Sequence, residues 1–107
     1  MRLTKFLFLM APLAVGLPLA ANSAEISVKM AGGQYGLGTV TAAVGDVLKF
    51  DNYRENKHGV FSPTTGYAVD IGNVKPGESA SLALGRNGLF EVECVYHPDM
   101  LLKVEVK

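Results

Sequence analysis

The sequence predicts a small all-β domain, built as an antiparallel sandwich or barrel. Three observations point there. Apolar and polar residues alternate with a period of two in several short stretches, the pattern of half-buried strands. Glycine-containing turn signals separate those stretches at close spacing. No stretch carries the 3.6-residue apolar period of a useful amphipathic helix, and there is no internal repeat or low-complexity tract. Many short strands between tight turns are typical of sandwiches and barrels, and 107 residues hold one domain.

The N-terminal two dozen residues stand apart. Arg2 and Lys5 make a short basic start, residues 6–21 carry no charge, and small residues follow at Ala21, Ser23 and Ala24. That layout is a secretory signal peptide over residues 1–23, cleaved after Ser23 or after Ala24. An uncleaved anchor is the alternative, since residues 6–24 are nearly long enough to span a bilayer. Pro12, Gly16 and Pro18, with the small-residue exit, favour cleavage. Export into the periplasm follows from this reading. The domain at 24–107 is 84 residues long, and so small a core often needs a staple or a metal.

The strands follow in order. Ile26-Ser27-Val28-Lys29-Met30 alternates, and a glycine-rich stretch over residues 31–38 reads as flexible. Residues 39–44 are β-branched and small, and Gly45-Asp46 marks a turn. Val47-Leu48-Lys49-Phe50 places Leu48 and Phe50 on one face. A polar loop over residues 51–57 leads to His58, and the chain after Pro63 reads as loop, with Gly66 and Gly72. Pro76-Gly77 is a turn. Residues 79–84 alternate with Ala80, Leu82 and Leu84 together, and Gly85-Arg86-Asn87-Gly88 is a hairpin connection. Phe90-Glu91-Val92-Glu93-Cys94 puts Cys94 on the inward face with Phe90 and Val92, leaving the glutamates to water. The last strand starts at Leu101 or Leu102 and runs to Lys107.

Composition removes several function classes. Without Arg2 and Lys5, eight basic residues face ten acidic ones, which gives no electrostatic case for nucleic acid or an anionic membrane surface. There is no phosphate loop, no paired-carboxylate arrangement and no Cys-x-x-Cys. Cys94 is the sole cysteine, so no intramolecular disulfide forms, and a free thiol in an oxidising compartment needs protection.

The scarce residue types converge on one pattern. Cys94, His97 and Met100 lie within seven residues, and His58 lies 36 positions before Cys94. These are the only histidines, the only cysteine and one of two methionines beyond the leader. Singly, each has an ordinary role: a solvated loop histidine, a turn residue, a buried small hydrophobe, a core filler. Together they form a soft donor set, and two histidines with one cysteine and a weak axial methionine describe a blue-copper site. Structural zinc does not use thioether. A Cys–His nucleophile would need accessible groups and a third residue orienting the base, which the inward Cys94 does not suit.

The stretch Cys94-x-x-His97-x-x-Met100 resembles the ligand loop of the cupredoxins, with spacing similar to the short-looped amicyanin branch. Val44-Gly45-Asp46-Val47-Leu48-Lys49-Phe50-Asp51-Asn52 followed by His58, Val74-Lys75-Pro76-Gly77-Glu78-Ser79, and Leu102-Lys103-Val104-Glu105-Val106 resemble other family segments, so the likeness covers residues 25–107. The resemblance implies a Greek-key β-sandwich holding one copper ion that cycles between Cu(I) and Cu(II). His58, Cys94 and His97 would be equatorial ligands and Met100 axial. It implies a one-electron carrier rather than an enzyme, a monomer serving redox proteins such as a cytochrome or a periplasmic dehydrogenase, with no stable membrane insertion. A copper-delivery protein is the alternative.

In the family the ring edge of the histidine at the His97 position is the electron port. Pro98 and Leu101 are expected around it, joined by Pro63 or Tyr35 if their loops lie at the same end, with Glu78 on the far side. One feature departs from the family. The first ligand histidine is usually followed by asparagine, whose side chain ties the two ligand loops together, whereas Gly59 follows His58 here.

Overall fold

The computed structural model describes residues 23–53 and 56–107. The leader expected over residues 1–23 lies outside the described residues except for Ser23. Nine strands follow one another: β1 (Glu25–Ala31), β2 (Gln34–Tyr35), β3 (Thr39–Ala42), β4 (Val47–Asn52), β5 (His58–Ser62), β6 (Val69–Val74), β7 (Ser79–Ala83), β8 (Gly88–Cys94) and β9 (His97–Val106). One sheet has the order β2-β1-β4-β7, the other β3-β9-β8-β5-β6. The all-β expectation holds, with no helix among the described residues.

The sheets are mixed rather than wholly antiparallel. β1 pairs parallel with β4, and β3 pairs parallel with β9. The chain leaves the first sheet after β2, adds β3 to the second, and returns at Gly45-Asp46 to begin β4. Alternation reveals which face a strand buries and not which way its neighbour runs, so strand direction was not readable from the pattern.

The alternating faces are found as expected. Val28, Met30, Leu48, Phe50, Leu102 and Val104 are all buried in one core between the sheets. Phe90, Val92 and Cys94 point inward, while Glu91 is exposed and Glu93 half-buried. Burial of such side chains supplies most of the folding energy, at about 1.5–3 kcal/mol for each fully buried large apolar group. Tyr67 packs against this core, its ring stacked on Phe90 with centroids 4.1 Å apart.

Three segments correct the expectations. The glycine-rich stretch after β1 contains β2, because Gly32 and Gly33 take φ of +63° and +74° and turn the chain back on itself. His58 does not sit in a polar loop but opens strand β5, and β6 occupies part of the stretch read as loop. Both strands are irregular: their pairing shifts between Val60 and Phe61, and Gly72 inside β6 has φ +90°. A bulge and a left-handed glycine disrupt the two-residue period that reveals a strand. Finally, β9 starts at His97, several residues before Leu101.

Candidate metal centre

Two neighbouring strands and one turn build the site. β5 and β8 pair antiparallel with Val60 opposite Cys94, which sets His58 two residues along β5 from the cysteine's partner. Cys94 is opposite His97 across the β8–β9 hairpin, and only Val95 and Tyr96 form its turn. Leu101 pairs with Glu93, so Pro98, Asp99 and Met100 are extra residues on β9, accommodated by a bulge. The bulge swings the start of β9 around, which lets a cysteine and a histidine from facing strands approach the same point.

Three of the four expected donors come together. The Cys94 Sγ lies 3.6 Å from Nδ1 of His58 and 3.5 Å from Nδ1 of His97. All three ligand atoms fall within 4.8 Å of one another. A metal about 2.0 Å from nitrogen and about 2.3 Å from sulfur, with an angle of about 110–120° between them, needs N···S separations of about 3.5–3.7 Å. The observed triangle therefore fits one metal ion at ordinary bond lengths. Met100 is fully buried, inward on β9 with Leu102, Val104 and Val106. Imidazole, thiolate and thioether together suit copper, and the thioether argues against structural zinc.

Burial divides the two imidazoles. His58 is 1% exposed, whereas His97 is only partly buried. The rings lie 4.9 Å apart between centroids, tilted by 43°. Burial, and secondarily the neighbouring His97, push the His58 pKa below the ordinary imidazole range. His58 is thus neutral at physiological pH, with a lone pair free for a metal. Cys94 is 3% exposed, so its sulfur is shielded from bulk solvent.

Several surrounding contacts were not apparent from the sequence. The Val95 N–H donates to the Gly59 carbonyl at 2.9 Å, so a backbone bond ties the two ligand segments where the family's asparagine would have done so. A Cβ at Gly59 would lie 3.2 Å from Asn73 Oδ1 and from the Val95 side chain, so that space is already filled. The Tyr96 hydroxyl donates to Asn73 Oδ1 at 3.1 Å, and Lys57 Nζ lies 5.1 Å from the Tyr96 ring centroid. Asn52, 3% exposed, donates from Nδ2 to the carbonyl of Val74, the residue opposite His58. Gly59 after His58 was the visible sign of a rebuilt brace; its partners Asn73 and Val95 lie too far away in sequence to be paired by inspection.

The expected apolar patch needs revision. Val95, Tyr96, Pro98 and Leu101 are exposed on or beside the ligand turn. Tyr35 is not part of the patch: it is 6% exposed and donates its hydroxyl to the Glu93 carbonyl at 2.9 Å. Burial, then the nearby Cys94 and Glu93, push its phenol far above the usual range. Pro63 follows the end of β5 opposite to His58. Glu78 is not on the far side, because its carbonyl accepts from Asn52 N, at the same end as His58. Lys107, bonded through its N–H to Ala42, marks the opposite end. The Gly32-Gly33 turn supplies a neighbour that was not anticipated: a Cβ at Gly33 would lie 3.2 Å from the His97 ring.

Comparison with known proteins gives one consistent answer. No family model and no curated protein matches the sequence. Among solved structures, a reduced amicyanin variant matches with 27% identity and a TM-score of 0.71. A reduced Cu(I) form of another amicyanin variant at pH 4 gives 27% and 0.72, and an oxidised variant 27% and 0.71. Each alignment covers 82% of this chain and 89% of the other. The chain shares its fold with these amicyanin structures, which are cupredoxins, and it brings a His–Cys–His cluster together within that fold.

Proposed function

We propose that this chain is a periplasmic one-electron carrier that holds one copper ion through His58, Cys94 and His97, with Met100 as the axial ligand. The observation that carries the reading is the Cys94 sulfur within 3.6 Å of two imidazole nitrogens contributed by different strands. When bound, copper supplies a Cu(II)/Cu(I) couple that accepts or releases one electron without a bond being made to a substrate. The protein is an electron carrier and not an enzyme.

The chain's own residues do the rest. His58 and Cys94 are carried on the neighbouring strands β5 and β8, whose backbone pairing restrains the approach of their donor atoms. Val95 and Gly59 lock the ligand turn to β5. A site that cannot rearrange costs little reorganisation when charge changes. Near-complete burial of His58 and Cys94 also favours the shuttle over copper delivery, which requires ligands a partner can reach. His97, the more exposed imidazole, is the route for electrons, and redox proteins dock briefly beside it through a small interface. The carrier acts as a monomer after export.

The test is the visible spectrum of the 24–107 chain with stoichiometric Cu(II). An intense thiolate-to-copper band is expected, and Cys94→Ala should abolish it even where copper still binds the histidines. Colour that survives Cys94→Ala refutes the ligand assignment. A colourless wild type that binds Cu(I) alone and passes it to a chelator would instead support delivery.

A further inference from the structure

We infer that the α-ammonium group of Ala24, released by hydrolysis of the Ser23–Ala24 peptide bond, is the counter-ion of Asp46, so that processing completes an ion pair pinning β1 to the turn before β4. The inference rests on the export reading above and concerns residues remote from the metal centre.

Asp46 is only 7% exposed. Its Oδ1 accepts from Ala24 N and its Oδ2 from Ala43 N, both at 2.9 Å. Those bonds, Ala43 first and Ala24 second, hold its pKa below the ordinary carboxylate value against the opposing effect of burial. Among the described residues no lysine, arginine or histidine forms an ion pair with it; Lys49 pairs with Asp51 instead. A carboxylate shielded from water and held only by neutral amides lacks its opposite charge.

Cleavage provides that charge at the atom already in place. Water adds across the Ser23–Ala24 bond: Ser23 leaves as a carboxylate and Ala24 nitrogen becomes an ammonium. The nitrogen that donated one neutral hydrogen bond to Oδ1 then donates as a cation, and charge-assisted bonds are roughly twice as strong as neutral ones. The geometry selects this bond over its neighbour. The Ala24 carbonyl accepts from Val47 N at 2.9 Å, so Ala24 is joined to the sheet on both sides of its Cα. Cleavage after Ala24 would delete both bonds, and cleavage before Ser23 would place a residue between the ammonium and Asp46. Ala21 and Ser23 supply the small residues that a leader peptidase requires.

Two measurements test the proposal. First, the full chain is expressed with its leader and the copper-loaded protein recovered from the periplasm is weighed intact. A chain beginning at Ala24 is expected. One beginning at Glu25 or at any other residue overturns the proposal while leaving export and cleavage intact, an uncleaved chain overturns the cleavage reading and the proposal with it, and a chain absent from the periplasm overturns the export reading. Second, the copper-loaded 24–107 chain is melted with a free and with an Nα-acetylated terminus, in the wild type and in Asp46→Asn. Acetylation keeps the N–H but removes the charge. It should lower Tm by several degrees in the wild type and leave Asp46→Asn unmoved. No effect in the wild type, or an equal effect in both, overturns the ion pair. Should Asp46→Asn fail to fold, the wild-type acetylation effect is measured against salt: it must shrink as ionic strength rises, and an effect indifferent to salt overturns the proposal.

Discussion

Gly59→Ala probes whether close packing between the two ligand segments has taken over the brace. The added Cβ would lie 3.2 Å from Asn73 Oδ1 and from Val95 Cβ and Cγ2, where ordinary contact begins at 3.4 Å. Gly59 has no left-handed φ, so the substitution strains no backbone angle and the effect is purely one of space. At least one neighbour must retreat by a few tenths of an ångström. Both are committed: Val95 donates its N–H to Gly59 and follows Cys94, and Asn73 receives the Tyr96 hydroxyl. Overpacking of this kind costs about 1–3 kcal/mol. Loss of glycine's freedom in the unfolded chain offsets about 0.4–1 kcal/mol of that. A net loss of about 1–2 kcal/mol, at about 4–8 °C per kcal/mol for a domain of this size, lowers Tm by about 5–15 °C. Gly38→Ala is the control, because nothing lies within 4 Å of its Cβ. Melts followed by circular dichroism, with the visible band recorded on the copper-loaded proteins, decide the matter. If Gly59→Ala melts with Gly38→Ala and keeps an unshifted band, the contact does not brace the site.

Other outcomes follow from the same geometry. Tyr35→Phe removes the bond to the Glu93 carbonyl one residue from Cys94 and should cost about 1 kcal/mol in urea unfolding; an unchanged midpoint would mean water replaces the hydroxyl. The lowered pKa of Asp46 adds stability that is present above its unfolded value of 3.8 and lost as pH falls through the lower folded value. The Tm gap between wild type and Asp46→Asn should therefore persist at neutral pH and close only below about pH 4, and a gap that closes between pH 5 and 7 contradicts this. Leu101→Glu should slow electron transfer to a cytochrome while sparing the copper spectrum, and Lys107→Glu, at the opposite end, should do much less. Equal rates in the two variants would remove His97 as the port.

The sequence by itself determined the class of fold and the inward face of each regular strand, and it named the candidate donors. Leu48, Phe50, Val92 and Cys94 are buried where a two-residue period placed them, because alternation is a local property that any strand must obey. The scarcity of His, Cys and Met within residues 24–107 singled out His58, Cys94, His97 and Met100 from the sequence alone. Only the tertiary structure decided which strands run parallel, that His58 opens a strand, and that a two-residue turn with a bulge brings Cys94 and His97 together. It alone moved Glu78 to the metal end and Tyr35 into the core. It also filled the place of the family's asparagine with Val95, Asn73 and a backbone bond to Gly59. These are contacts between residues far apart in the chain, governed by sheet pairing and by the volume left between side chains. Neither quantity leaves a periodic trace in the sequence: a bulge erases the period where it occurs, and a brace can be rebuilt from any residues that reach the same point.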